Sequence, residues 1–279
     1  MYYDCLGGNR YQITVVLYRD CLSDGADYDP VLPVTIFNGS NVQIGNFGIP
    51  FPGSRLIDAV LDNPCITLPG DICVEQSTYT QEVTLPPSAN GYLLAYQRCC
   101  RGPAVVNLLD AGEQGLTLTV EIPPNDLAAC NNSARFINYP PLVICAGQEI
   151  DFDPDGDELV YELCAPYQGA TSIAPAPDPA SPPPYDLVIW GGGFSADDPF
   201  GAGDLSIDPS SGLLTIHPES PGLYVVGVCV KEYRDGELIS TSRRDFLFKV
   251  LNCDIELDAN IVRQNELPGY RSFCDGLEI

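Results

Sequence analysis

The densest set of metal-binding side chains in the sequence lies near the middle of the chain. It consists of four alternating aspartates and one later glutamate: Asp151, Asp153, Asp155, Asp157 and Glu162. Carboxylate oxygens on a turn are the ligands that Ca²⁺ prefers, and the spacing satisfies the EF-hand loop formula. A helix–loop–helix hand is not expected, because strand-like residues follow the run and no amphipathic helix precedes it. A calcium site at a domain edge and a solvated Asp-Gly turn therefore both stay open.

Residue types that could support catalysis are few. The single histidine, His217, stands before a proline in a turn-like stretch, so any Ser-His-Asp or Cys-His arrangement would depend on it alone. We expect His217 to end a strand instead. A weaker acidic cluster, Asp24, Asp27 and Asp29, is interpreted as a polar loop. The 38 acidic residues make any carboxylate pair uninformative about glycoside hydrolysis. The sequence predicts a protein that is not an enzyme.

Twelve cysteines, an even number, indicate disulfide bonds in an oxidising compartment. Zinc is disfavoured because no C-x-x-C pair occurs and there is one histidine. Two pairings are predicted, Cys65 with Cys73 across a short loop and Cys164 with Cys229 between sheets. The adjacent Cys99 and Cys100 are expected to point to opposite faces of a strand and to find different partners, with a redox-active vicinal pair as the alternative.

The net charge narrows the classes of partner. The chain has 13 Lys and Arg against 38 Asp and Glu, a formal charge of −25. Such a surface repels phosphate backbones and anionic membranes, so no nucleic acid is expected as a partner. No run of 18 apolar residues occurs, and membrane insertion is not predicted. The lone Trp190 ends an apolar run and is interpreted as a core or rim anchor, with a sugar-stacking platform as the alternative.

Short runs of Val, Ile, Leu, Thr and Tyr between turn residues predict an all-β fold. Pro123-Pro124 cannot continue a strand ladder, so we predict two tandem antiparallel β-sandwich domains, residues 1–124 and 125–253, and a tail or linker at 254–279. Strands are expected at 10–21, 31–38, 42–47, 54–61, 77–85, 91–98, 115–122, 142–146, 158–164, 186–190, 213–217, 222–232 and 237–251. Asp235-Gly236 predicts a hairpin turn between the last two.

Two segments break the strand pattern. Residues 170–185 contain six prolines and predict an extended, polyproline-like loop lying on the surface. Residues 254–279 lack a complete strand pattern but contain apolar residues and Cys274. That tail is interpreted either as a strand or linker that joins another module or another copy, or as a segment folded back through a Cys253–Cys274 bridge.

Four segments in order resemble the N-terminal module of very large secreted Bacteroidota proteins: residues 5–21, 96–101, 153–157 and 228–234. Proteins of that kind continue into PKD-like repeats and end in a gliding-motility-associated, type IX secretion C-terminal domain. Residues 153–163, 207–215 and 221–226 are also similar to immunoglobulin-like and cadherin-like domains. His217 departs from that second pattern, which usually has a small residue there.

The resemblance implies a secreted or cell-surface protein of adhesin type, and it associates Asp153, Asp155 and Asp157 with Ca²⁺. We therefore expect a non-catalytic structural or adhesive module of a bacterial surface protein or extracellular fibre. Its expected partners are neighbouring modules of the same protein, identical subunits or surface glycans. The alternative is a carbohydrate-binding module or accessory domain of a secreted glycan-active protein, using Trp190 and exposed tyrosines.

Calcium binding at the acidic run is testable by thermal unfolding. A cation that binds only the folded state stabilises it by linkage. We expect added Ca²⁺ to raise the melting temperature relative to the same protein in excess chelator. Identical melting curves in the two conditions would contradict a calcium site.

Overall fold

The computed structural model describes residues 1–57, 72–135, 159–201 and 205–252, together with the backbone of 66–67, 143–145, 150–152 and 254–255. This part of the chain contains strands, turns and one 3₁₀ turn, Ala111–Glu113, and no α-helix. The predicted all-β, disulfide-bonded fold is confirmed. The boundary that we predict at 124–125 stays a prediction, and the terms N-terminal half (residues 1–124) and C-terminal half (residues 125–279) are used below for convenience.

The N-terminal half contains nine strands: β1 (Tyr2–Gly7), β2 (Arg10–Asp20), β3 (Val31–Asn38), β4 (Gln43–Pro50), β5 (Arg55–Ile57), β6 (Ile66–Thr67), β7 (Val74–Thr84), β8 (Tyr92–Arg98) and β9 (Leu116–Ile122). Two antiparallel four-stranded sheets are formed, in the orders β1-β2-β7-β5 and β4-β3-β8-β9. Period-two alternation turns one side of each sheet inward. The shared core holds residues of both sheets: Tyr3, Tyr11, Ile13, Val15, Tyr79, Leu32, Val34, Leu94 and Val120.

The C-terminal half contains eight further strands: β10 (Val143–Cys145), β11 (Ile150–Phe152), β12 (Leu159–Leu163), β13 (Leu205–Ile207), β14 (Leu214–Ile216), β15 (Gly222–Arg234), β16 (Glu237–Leu251) and β17 (Asp254–Ile255). The sheets have the orders β10-β16-β15-β12 and β11-β14-β13, and only β10 pairs in parallel, with β16. Their core includes Leu214, Ile216, Val226, Val228 and Phe248. The β15–β16 turn forms at Asp235-Gly236, both with positive φ, as predicted.

One strand prediction is wrong, and several strands, including β1, β11 and β13, were not predicted. Residues 186–190 do not form a strand, because they make only isolated bridges, Tyr167 with Leu187 and Leu108 with Trp190. Conversely, β1 was not predicted although it pairs with β2 over most of its length. The start of the tail also forms a strand, and β17 pairs with β6 of the N-terminal half of the same chain.

Four disulfide bonds occur among the described residues: Cys5–Cys130, Cys21–Cys73, Cys99–Cys100 and Cys164–Cys229. The predicted Cys164–Cys229 bridge is present, joining β15 to the residue after β12 with its Cα atoms 5.8 Å apart. The predicted Cys65–Cys73 bridge is wrong, because Cys73 is bonded to Cys21. Cys99 and Cys100 bond to each other, so the expectation of separate partners is also wrong. Cys65, Cys253 and Cys274 lie outside the described residues.

A buried carboxylate closes one end of the N-terminal core. Asp24 and Asp27 are exposed as expected, but Asp29 is buried, so the polar-loop interpretation fails for this residue. The Tyr96 hydroxyl donates to Asp29 Oδ2 at 2.7 Å, and Arg98 Nη1 lies 2.5 Å from Oδ1. Tyr79 donates to the Asp29 backbone carbonyl at 2.8 Å. This set ties the loop before β3 to strands β7 and β8.

The tyrosines around Asp29 predict a loss of stability in alkali. Burial and the nearby Asp29 charge raise the pKa of Tyr79 from 10.0 to about 12. The unfolded chain therefore releases this proton first, so the contribution is complete below pH 10 and is lost as pH rises towards 12. We expect the free energy of unfolding in urea to fall across this range.

A Tyr79→Phe variant serves as the control, since it removes one titrating group from the same core. It should show a shallower decline with pH than the wild type. Equal slopes in the two proteins would show that ionisation of Tyr79 contributes nothing.

Candidate functional site

The connection between β8 and β9 extends out of the N-terminal half and contacts the C-terminal half. Val106 donates its backbone N–H to Leu223 in β15 at 2.9 Å, and Leu109 donates to Ile189 at 2.9 Å. In return, Gly191 donates to the carbonyl of Asn107 at 3.0 Å. We call residues 101–115 the inserted loop, because the C-terminal half satisfies much of its backbone.

At this crossing, two buried amide side chains make hydrogen bonds to backbone groups that a neighbouring strand would otherwise bind. Asn107 is fully buried, and its Nδ2 donates to the carbonyls of Val225 at 2.8 Å and Pro199 at 2.9 Å. Its Oδ1 accepts from the N–H of Val225 at 3.0 Å. Gln114 likewise accepts from the N–H of Ile189 and donates to its carbonyl. Each amide thus satisfies donors and acceptors that would otherwise be buried unpaired.

Apolar side chains fill the space around these amides. The inserted loop and the C-terminal half share a small core made of Val105, Leu108, Ala111, Val188 and Val225. Trp190 is half-buried and packs against this cluster. The interpretation of Trp190 as an anchor is therefore confirmed.

A segment of the C-terminal half crosses in the opposite direction and contacts the N-terminal half. Ala180 donates its N–H to Thr35 Oγ1 at 2.7 Å, and Ser181 donates to Gln97 Oε1 at 2.8 Å. Ala180 is also buried against Phe37 and Ala95, on the face of β3 and β8 that points away from the main core. The proline-rich segment 170–185 is largely exposed on the surface, as predicted, and these contacts fasten it to the N-terminal half as a strap.

A bidentate ion pair lies between the two crossings. Arg101 Nη2 is 2.5 Å from Asp245 Oδ2, and Nη1 is 3.1 Å from Oδ1. The two side chains are only 6% and 12% exposed. Arg101 also donates to the carbonyls of Gly115 and Tyr167, so its planar guanidinium bonds to both halves at once.

A third set of contacts joins the halves beside the Cys5–Cys130 bridge. Asn131 Nδ2 donates to both carboxylate oxygens of Glu232 at 3.1 Å, and its Oδ1 accepts from Arg234 at 3.1 Å. Ser133 exchanges hydrogen bonds with the backbone of Tyr3 in β1. The chain that leaves the N-terminal half is therefore fastened to both halves.

An open groove of about 410 Å³ lies where the strap meets β8, β9 and β16. Tyr92, Tyr167 and Tyr185 line it, with Asn41, Asn90 and Glu121. The rings of Tyr167 and Tyr185 meet edge to face with centroids 5.5 Å apart. The Tyr185 hydroxyl is buried and has no hydrogen-bond partner among the described residues, and burial raises its pKa.

The carboxylate of Glu121 is the acidic group of this groove. It accepts a hydrogen bond from the N–H of Thr241 in β16 at 3.1 Å. Neighbouring atoms displace water from the carboxylate and raise the pKa of Glu121, although much of the side chain is exposed. The groove therefore combines aromatic faces, amides and one carboxylate, a set that can bind hydroxyl-rich neutral molecules.

Most of the predicted calcium ligands lie outside the described residues. The side chain of Asp151 and the whole of Asp153, Asp155 and Asp157 lie outside the described residues. Glu162 in β12 is described, and it accepts a 2.7 Å hydrogen bond from Lys231 Nζ, which raises the pKa of Lys231. Among the described residues no group of three or more His, Cys, Asp or Glu side chains is arranged to hold a metal.

His217 is exposed and follows β14 directly, as expected of a residue that ends a strand. The residues that join the halves were not singled out from the sequence. Arg101 directly follows the paired cysteines, and Asn107 interrupts an apolar stretch of valines and leucines. A polar residue enclosed by apolar neighbours was the available signal for Asn107, since such a side chain needs buried partners.

No protein-family model matches the chain, and no curated protein matches its sequence. Within the part of the chain that the structure describes, there is no helix with the length and apolar character needed to span a membrane.

The Arg101–Asp245 pair predicts a large cost of mutation. Arg101→Ala leaves a buried carboxylate without its cation, which destabilises proteins by about 3–5 kcal/mol. Arg10→Ala is the matched control, because the 3.7 Å pair of Arg10 with Glu82 is more than half exposed and contributes about 0–1 kcal/mol. We expect urea unfolding to separate the two variants clearly. Equal losses would contradict the structural importance of the pair.

Proposed function

We propose that this chain is a non-catalytic structural or adhesive module of a secreted or cell-surface bacterial protein. The observation that carries the proposal is the reciprocal crossing of the two halves by the inserted loop and the strap. Loops with extensive buried contacts do not swing freely, so the geometry supports a stiff unit. A stiff unit suits a module that must transmit force between a cell and the surface to which it adheres.

The disulfides support the same proposal. Cys5–Cys130 closes a loop that spans the N-terminal half, and Cys164–Cys229 closes one in the C-terminal half. Several disulfides are typical of proteins in oxidising compartments outside the cytoplasm. The resemblance to large secreted Bacteroidota proteins supports location on the cell surface, export by type IX secretion, and neighbouring modules of the same protein as partners. Calcium at the acidic run belongs to this proposal.

A mechanical role is testable by single-molecule pulling from the two ends of the chain. We expect the two halves to unfold in one event, since each half contains a segment that belongs to the other. With the bridges intact, the two segments that the disulfides close, whose cysteines are 125 and 65 residues apart in sequence, cannot extend. Prior reduction should therefore lengthen the unfolded chain by roughly 600 Å, at about 3.3 Å per residue.

Two outcomes would contradict the mechanical role. Unfolding in two well-separated events would show that the halves are mechanically independent. Unfolding at forces no higher than those that extend an unstructured peptide would show that the unit cannot bear load.

The alternative function is carbohydrate binding. The tyrosine-lined groove is the better candidate site for it, because Trp190 packs against a buried cluster. The tyrosine rings that line the groove could stack on the apolar face of a sugar, and the amides of Asn41 and Asn90 could hydrogen-bond to its hydroxyls. A glycan array distinguishes the two functions. Saturable binding that Tyr185→Ala weakens, with Tyr233→Ala as an unaffected control outside the groove, would favour the carbohydrate-binding module.

A further inference from the structure

The β3–β4 hairpin lies in the longest uncharged part of the described chain. No Asp, Glu, Lys, Arg or His occurs between Asp29 and Arg55, a stretch of 25 residues in a chain that is 18% charged. This stretch contains the whole of β3 and β4. Strands β3 and β4, at one end of the β4-β3-β8-β9 sheet, therefore contain no charged residue.

Strand β4 is the edge of that sheet, and among the described residues it pairs only with β3. An edge strand presents unpaired backbone N–H and C=O groups on alternate residues. Large apolar side chains accompany it, since Ile44 is 50% exposed and Val42, just before the strand, is 57% exposed. An eight-residue edge of this kind can template another strand.

Proteins usually protect such edges with charges or a covering segment. At the edge strand β1, Asp4 pairs with Arg135, and Asn132 and Ser133 hydrogen-bond its backbone. At the edge strand β12, Glu162 pairs with Lys231. Strand β4 contains no charged residue of its own, and the strap's Asp178 accepts a 2.8 Å hydrogen bond from Asn46 Nδ2 on one face of the sheet. The bulge in the β3–β4 pair lies at the turn end, between Ile36 and Phe37. Strand β4 is therefore the least protected of these edges.

We propose that β4 pairs edge to edge, antiparallel, with β4 of a second copy of this chain. A two-fold axis across β4 would join the two four-stranded sheets into one continuous sheet of eight strands, a self-complementary contact. Charge also favours this surface. Each copy carries −25, so acidic surfaces repel one another, whereas the uncharged hairpin lowers that repulsion and leaves Asp178 of the strap as a carboxylate beside the contact.

The same charge makes the association depend on salt. Repulsion between the two acidic bodies acts beyond the contact and is screened as ionic strength rises, with a Debye length of about 10 Å at 0.1 M and about 3 Å at 1 M. Dimerisation of the full chain should therefore strengthen as NaCl is added, opposite to an association made by ion pairs. This inference goes beyond the adhesive role and does not depend on it.

Sedimentation of the full chain with its disulfides intact tests the proposal. We expect a monomer–dimer equilibrium whose dimer fraction rises with NaCl. Ile44→Lys places two ammonium groups near the shared edge, where like charges oppose pairing, and should weaken dimerisation about tenfold or more. Ile173→Lys is the matched control, since Ile173 is 94% exposed on the strap and the same charge is added away from β4. It should leave the dimer unchanged.

Hydrogen exchange locates the contact and gives the second measurement. Amides of residues 43–49 should become more protected as protein concentration rises, in the wild type and in Ile173→Lys but not in Ile44→Lys. A chain that stays monomeric at high salt overturns the proposal, and so does a dimer in which only another region gains protection. Equal weakening by the two lysine variants would also overturn it.

Discussion

The buried pair of Arg101 and Asp245 is the contact on which the relation of the two halves depends. A guanidinium that is 6% exposed must be neutralised where it stands, and its fork holds β16, the inserted loop and the carbonyl of Tyr167 in one geometry. The inserted loop runs on from Arg101 into the C-terminal half. On the other side of the pair, Tyr167 leads into the strap. Displacement of this one side chain would therefore misplace both crossings.

Several basic side chains of this acidic protein form ion pairs that join different parts of the chain. Arg98 binds Asp29 within the N-terminal core, Arg19 binds Glu75 across β2 and β7, and Lys231 binds Glu162 across β15 and β12. With 13 basic residues against 38 acidic ones, most carboxylates have no cation to pair with. The positive charges order the fold, while the surplus negative charge keeps the exterior hydrated and self-repelling.

Local patterns predicted the strands well, because alternation and turn residues act over a few positions. The prediction of β3 at 31–38 is correct to the residue, and Asp235-Gly236 forms its turn. The crossings were not predictable, since their backbone bonds to side chains such as Asn107 and Thr35 that are distant in sequence. Cys73 likewise joins Cys21 where a shorter loop was predicted. The tyrosine groove depends on these same distant contacts and has no local signature.

The inserted loop has a consequence for the order in which the protein matures. Residues 105–109 emerge from the ribosome long before their partners at 189–191 and 223–225, so the N-terminal half cannot bury Val105 and Leu108 during its own synthesis. Such long sequence separations slow folding. Until the last strands arrive, the apolar side chains of this loop stay exposed to water, and a chain truncated after the first half would keep them exposed.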